Sequence, residues 1–168
     1  MTPLITVKDL RMEFNGTVVL KDIHFEVAEG ETVGIIGRSG AGKTVLMHLM
    51  RGVDQPPTRG AIIYHIAACR KCDHIGVPSE AGKPCPACGG ELEPLDVDLW
   101  AEENALMKRR IMRRTAIMFQ RTFALYGDDR VIENVLRALD DIGYPGEKAV
   151  GRAADLIDQV RLSHRMMH

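Results

Sequence analysis

Two constellations in this 168-residue chain have the residue types and spacing to do chemistry. The first is Gly37-Arg38-Ser39-Gly40-Ala41-Gly42-Lys43-Thr44, which fits G-x-x-x-x-G-K-[ST]. Glycines let a backbone curl until successive N–H groups face one anion. A helix that starts where such a loop ends adds unpaired N–H groups and a favourable dipole. Lys43 would reach the outer phosphates of a nucleoside triphosphate, and the Thr44 hydroxyl would hold Mg2+. The alternative is a glycine-rich turn that binds nothing. The second constellation is Cys69-x-x-Cys72 and Cys85-x-x-Cys88, with twelve residues between the pairs. Each pair can grip one ion through thiolates on a tight turn. Two pairs close an S4 shell, which suits a structural zinc ion, with rubredoxin-like iron as the second choice. His65 and His74 lie close enough in sequence to be further ligands, although four thiolates already fill a tetrahedral site. Four free thiols or a redox switch is the other reading.

The loop needs a strand before it and a helix after it. Val33-Gly34-Ile35-Ile36 is a short apolar run that predicts a buried strand. Residues 45–51 contain no breaker and predict a helix, stopped by Gly52, Pro56, Pro57 and Gly60. Ahead of the loop, residues 4–14 predict a strand, Asn15-Gly16 a hairpin turn, and residues 17–20 and 23–27 returning strand segments closed by Glu29-Gly30. Residues 61–66 are strand-like again. From Ala67 to about Pro94 the apolar rhythm disappears among Cys, Pro, Gly and Lys. Such an insertion cannot fold on a core of its own. A structural zinc ion can supply an apparent ~10–16 kcal/mol and would give it shape. Beyond it, residues 98–111 predict a charged helix and 115–119 a second buried strand. Residues 131–139 predict a helix with Val131, Ile132, Val135, Leu136 and Leu139 on one stripe. Tyr144-Pro145-Gly146 breaks it, and residues 149–162 predict a second amphipathic helix with Ala153, Leu156, Ile157 and Val160 on one side.

The formal net charge of −1 gives no global field that argues for nucleic acid. One basic run, Lys108-Arg109-Arg110-Ile111-Met112-Arg113-Arg114, could meet nucleic acid or an acidic partner, or be a solvated helix face. No aromatic residues interleave it for base stacking, so nucleic acid is the weaker expectation. No apolar run is long enough to span a bilayer, and Lys8, Asp9, Arg11 and Glu13 make the start unlike a secretory signal. A cytoplasmic location is expected. In a reducing cytosol paired cysteines point to metal rather than disulfide.

With these parts in order, the chain resembles the ATP-binding domain of the ABC superfamily over residues 4–66 and from about 114 onward. Val18-Val19-Leu20-Lys21-Asp22-Ile23 through Glu29-Gly30-Glu31 looks like that family's approach to its phosphate loop. Val131-Ile132-Glu133-Asn134-Val135 looks like the segment after its Q-loop. The resemblance implies that Gly37, Ser39, Gly40, Ala41, Gly42, Lys43, Thr44 and Val45 bind the phosphates of ATP. It implies that Phe14 stacks on adenine and that Gln120 joins Thr44 at Mg2+ and orients the attacking water, with Lys43 and Gln120 as the catalytic pair. Val45 stands where the family usually has Ser or Thr, so one hydroxyl contact to phosphate is lost. The insertion, the basic run and Arg121-Thr122-Phe123-Ala124-Leu125-Tyr126-Gly127-Asp128-Asp129 are similar to a narrower family. These are the ABC-type ATPases of methanogenic archaea that help activate methyl-coenzyme M reductase. That likeness implies ATP turnover in support of reductive activation of the nickel enzyme. It also implies a second ATP-binding domain in the same chain, no membrane domain, and the reductase with its activation proteins as partners. A soluble ATPase subunit of an ABC transporter and a nucleic-acid-linked ABC ATPase are the alternatives.

The expected fold class is therefore α/β, a P-loop NTPase of ABC type, incomplete, with an antiparallel β subdomain and a zinc-ribbon-like insertion. Residues 1–66 and 105–145 would form the ATP-binding core, 67–104 the four-cysteine insertion, and 146–168 the start of a helical subdomain. A signature loop, an apolar run ending in Asp-Glu and a switch histidine are not found, and Met166-Met167-His168 falls about where the signature would begin. The chain is thus expected to be the N-terminal portion of a longer protein, able to bind ATP-Mg but not to hydrolyse it alone.

Overall fold

The computed structural model describes residues 2–118 and 126–168. Contacts cluster into two compact units, Met1–Thr115 and Ala116–His168.

The first unit is an antiparallel sheet with a helix on it. Strands β1 (Pro3–Phe14) and β2 (Thr17–Ala28) form a long hairpin. Its turn is Asn15-Gly16, both left-handed at φ 48° and 78°, the conformation that a two-residue hairpin turn demands. Strand β3 (Arg59–Cys69) pairs with β1 on one edge and with β5 (Leu92–Asp98) on the other. The two-residue β4 (Ile75–Gly76) continues the β1 edge against Ala67 and Ala68. Helix α1 (Lys43–Arg51) lays Leu46 and Leu49, three residues apart, against the sheet. They join Val7, Leu10, Met12, Leu20, Ile62 and Val97 in one buried cluster. Full burial of each such side chain contributes about 1.5–3 kcal/mol. Gly52 ends α1 in the left-handed conformation at φ 76°, and its N–H returns to the carbonyls of His48 and Leu49. Helix α2 (Ala105–Arg114) buries Ile111 in the same cluster.

Three sequence expectations fail here. Residues 33–36 form no strand: Val33 and Ile35 are exposed and Ile36 is 98% exposed. No described strand lies beside them to take up their backbone N–H and C=O groups, and a parallel-core strand cannot exist without neighbours. Residues 115–118 likewise form no strand and leave Met118 exposed, while Phe119 lies outside the described residues. The charged helix expected from residue 98 starts only at Ala105. Before it, β5 runs through Asp98 and a turn and one 3-10 turn at Glu102–Asn104 follow. Pairing of Asp98 with Ile63 and the Leu99 N–H bond to the Ile62 carbonyl hold the start of that stretch on β3, so the helix can begin only after the turn.

The second unit is a helical hairpin, α3 (Val131–Asp141) and α4 (Gly146–Gln159), around buried Leu139, Ala149 and Ala153. Ile132, Val135, Leu136 and Leu156 pack on them as their spacing predicts. Val160, expected on that stripe, is exposed because α4 ends at Gln159; Ala149 takes its place one turn before Ala153. Asn134 ties the segment before α3 down: its Oδ1 accepts from the Tyr126 N–H at 2.8 Å and its Nδ2 donates to the Tyr126 carbonyl at 3.1 Å.

Candidate functional site

The phosphate-loop motif lies on an exposed bend that closes directly into α1. Gly40 and Gly42 are left-handed at φ 79° and 86°, conformations open to glycine and strained for any other residue. Gly42 also admits no side chain for lack of space, since a Cβ there would come within 2.9 Å of Leu20 Cδ2. The Lys43 ammonium folds back over the loop and donates to the carbonyls of Gly37 at 2.7 Å and Arg38 at 2.8 Å. This poises one positive charge over the bend whose amides precede the helix. Thr44 is exposed on the first turn, where its hydroxyl can meet a hydrated cation, and Val45 is half-buried against the core. Phe14 ends β1 opposite Thr17 and is 39% exposed. Because β2 passes under Gly42 at Val19 and Leu20, that exposed ring stands at the end of the sheet that carries the loop. Gln120, expected at Mg2+, lies outside the described residues.

The C-terminal end of α1 is held by two side chains that sequence reasoning did not single out. Tyr64 of β3 donates its hydroxyl to the Met50 carbonyl at 2.7 Å, and Trp100 donates Nε1–H to the Leu49 carbonyl at 3.0 Å. Burial raises the Tyr64 phenol to about 12 against a small opposing pull from Arg51, so it stays a donor at neutral pH.

The four cysteines converge. Their Sγ atoms all lie within 4.8 Å of one another, with Cys69 3.5 Å from Cys88 and Cys72 3.6 Å from Cys85. These separations are too long for a disulfide, and all four thiols are free. They match a tetrahedral ion with sulfurs at about 2.3 Å, whose edges are about 3.8 Å. Two tight turns build the cluster. Cys69 N–H donates to the His74 carbonyl at 3.0 Å, and Gly89 N–H to the Cys85 carbonyl at 2.8 Å. Gly90 presses against the sulfurs: a Cβ there would sit 3.3 Å from Cys69 Sγ and 3.4 Å from Cys88 Sγ. Desolvation raises the Cys69 thiol, but N–H groups of Lys71 and Cys72 and the neighbouring thiols outweigh it and bring it down to about 7. At Cys72 the His74 N–H favours the thiolate, but the other three thiols and burial push it up to about 12. One proton is thus easily lost and another tightly kept, the pattern of thiols sharing a small space that a cation would relieve. His65 is no ligand: its ring nitrogens meet Asp96 at 2.7 Å and Thr6 at 2.9 Å. His74 contributes its carbonyl to the first turn, while its ring faces Arg114 at 3.4 Å.

The basic run stitches α2 to its surroundings. Lys108 lies over the Trp100 ring, 3.4 Å from its centre; Arg110 pairs with Asp73; and Arg114 donates to the Ile75 carbonyl at 3.0 Å. Arg109 and Arg113 remain exposed.

The model of the ABC transporter family matches residues 20–167. The chain belongs to that family. An uncharacterized ABC transporter ATP-binding protein of Methanocaldococcus jannaschii is 49% identical over 166 residues, 98% of this chain and 30% of the relative. A methionine import ATP-binding protein of Brucella abortus is 32% identical over 99% of this chain and 36% of the relative. The chain therefore spans about a third of the length of these curated relatives. A solved ATP-binding cassette, captured as a post-hydrolysis dimer with ADP and phosphate, shares the fold at TM-score 0.62 and 20% identity. That likeness covers 97% of this chain and 60% of the other. The protein thus carries an ABC-type P-loop NTPase fold with an antiparallel sheet, and the family's domain binds ATP. None of these relatives is described as an activator of methyl-coenzyme M reductase. Among the described residues, no helix is long and apolar enough to cross a membrane.

Proposed function

We propose that this chain is the nucleotide-binding portion of an ABC ATPase that binds ATP with Mg2+ on residues 37–45. The observation that carries the reading is the Lys43 ammonium poised over the exposed bend, between the carbonyls of Gly37 and Arg38 and at the start of α1. Phosphoryl transfer is mostly positioning and charge stabilisation. In this reading Lys43 exchanges its loop carbonyls for the β- and γ-phosphates, Thr44 ligates Mg2+, Gln120 orients metal and water, and Phe14 stacks on adenine. Hydrolysis comes in the whole protein, when a second ATP-binding domain faces the loop; the dimeric cassette that shares the fold supports that pairing. The ATP-binding core of residues 1–66 and 105–145 is interrupted by the insertion of residues 67–104. Its four thiolates hold one structural zinc ion, with iron as the less favoured occupant.

The work that ATP supports has two readings. One is reductive activation of methyl-coenzyme M reductase, supported by the sequence likeness of the insertion and of residues 108–114 and 121–129. The other is the ATPase subunit of an importer, supported by relatives named for methionine import. The relatives, named as transporter ATP-binding proteins, favour the second. Calorimetry of the whole protein with ATP-Mg is expected to give saturable heat. Lys43→Ala should weaken it about 10- to 100-fold, the worth of a charge-assisted hydrogen bond. Absence of heat with any nucleotide overturns the reading. Co-purification then separates the assignments, a soluble reductase complex supporting the first and a membrane permease the second.

A further inference from the structure

One β-ladder joins the cysteine cluster to the helix of the phosphate loop. At its distal end Cys69 faces Leu92, and pairing runs back without a break to Ile63 opposite Asp98. Just past that point the Leu99 N–H donates to the Ile62 carbonyl at 2.9 Å, and the Trp100 N–H donates to Asp98 Oδ1 at 3.1 Å. Asn104 Nδ2 closes the turn on the Asp98 carbonyl at 3.0 Å. The end of the ladder thus fixes Trp100, and Tyr64 sits within the ladder opposite Val97. These two side chains reach the Leu49 and Met50 carbonyls of the last turn of α1, where carbonyls lack a donor within the helix; the Leu49 carbonyl also accepts from the Gly52 N–H at 3.1 Å.

Helix α1 has nine residues, and its first is Lys43. A helix of that length, about 13 Å, moves as a body. Whatever fixes Leu49 and Met50 therefore fixes the ammonium and the amides at the other end. Among the described residues, the buried cluster at the cysteine end is small: Ala67, Cys69, Cys85 and Leu92, with Cys72 and Ala81 against them. That is too little to hold the hairpin closed without a cross-link. A metal on the four thiolates supplies one.

We infer that Tyr64 and Trp100 are positioning residues for the nucleotide, and that the metal held by Cys69, Cys72, Cys85 and Cys88 sets nucleotide affinity through them. The inference rests on the nucleotide and metal readings above. Linkage makes it reciprocal: bound nucleotide tightens the metal by the same factor.

Trp100 is the single tryptophan of the chain, so its emission reports the last turn of α1 directly. The full chain is compared loaded with one equivalent of Zn2+ and stripped with chelator. Stripping is expected to shift the emission to the red, as the indole leaves the Leu49 carbonyl for water, and to weaken ATP-Mg binding about fivefold or more. The double variant Tyr64→Phe, Trp100→Phe keeps aromatic bulk and loses both donors. Calorimetry should show it holding one Zn2+, binding ATP-Mg more weakly, and losing the zinc dependence of that binding to within about twofold. A purely structural role would leave the zinc effect undiminished, because uncoupled changes add. Unchanged emission and affinity on stripping, or a zinc effect as large in the double variant as in the parent, overturns the inference. Should stripping melt the whole sheet, the zinc-loaded double variant decides: affinity within about twofold of the parent overturns it. No heat with ATP from the zinc-loaded parent overturns the nucleotide reading itself, and the coupling falls with it.

Discussion

The cysteine cluster is gathered by its own sequence neighbours, although Cys88 stays exposed, whereas the phosphate loop is built from one side only. The thiols are brought together by nearby chain: two tight turns, the end of the β3–β5 pairing at Cys69 and Leu92, and Gly90 wedged against the sulfurs. The loop has its following helix, its left-handed glycines and its lysine in place, but the run before it, residues 33–36, is bare of strand neighbours. A metal shell needs only four atoms at one point, and local hairpins can bring them there. A parallel-core strand needs partners on both edges, which arrive from distant parts of a chain. Local closure can be complete where long-range closure is not.

The largest test of this contrast is removal of the metal. Elemental analysis of the purified protein should find about one zinc or iron per chain, by the four-thiolate shell. Chelation should remove an apparent ~10–16 kcal/mol from the hairpin. Hydrogen exchange would then show the Cys69, Gly82, Cys85 and Leu92 amides, all bonded across the cysteine hairpin, losing protection. Retained protection after complete removal of metal would mean that the hairpin closes itself and that the cluster is no keystone.

The same contrast separates what the sequence made legible from what it did not. The β1–β2 hairpin, α1, α3 and the cysteine spacing all rest on neighbours in sequence: Asn15-Gly16 for a turn, Gly52 for a helix end, Cys-x-x-Cys for a chelating turn. Each could be read without knowing the rest of the molecule. Val33-Gly34-Ile35-Ile36 and residues 115–118 have strand composition, but composition states only a capacity to pair. Tyr64 and Trp100 were missed for a related reason. Their role lies in a hydrogen bond to a helix 14 and 51 residues away in sequence, and no local pattern encodes that. The basic run at 108–114 read chiefly as a solvated helix face, because charge alone does not reveal that Lys108 lies on an indole and Arg110 on Asp73.

Adjacent glycines give a finer test of the closed site. Gly89 is left-handed at φ 71° with open space where a Cβ would go, and Gly90 is hemmed in by two sulfurs. Gly90→Ala should overpack the cluster by about 1–3 kcal/mol and weaken metal binding about tenfold or more. Gly89→Ala should cost about 1–2 kcal/mol of backbone strain spread over the turn. Metal titration by competition with a chromophoric chelator distinguishes them: equal affinity for the Gly90→Ala variant and the parent would show that the sulfurs can give way.

The smallest effect falls on the open site and is the most direct measure of it. Ile36→Ser in this chain should change stability by no more than about 0.5 kcal/mol, because the side chain is 98% exposed. Leu49→Ala, on buried α1, should cost about 2–5 kcal/mol under the same denaturant titration. In the whole protein, where about two thirds of the relatives' length lies outside this chain, the expectation reverses if further strands flank the loop. Ile36→Ser would then behave as a core substitution and cost as much as Leu49→Ala. A large cost already in this chain would break the contrast, since it would place residues 33–36 in a paired strand in solution. A negligible cost in both would mean that the run before the phosphate loop stays bare, and that Lys43 and the loop amides are positioned from the helix side alone.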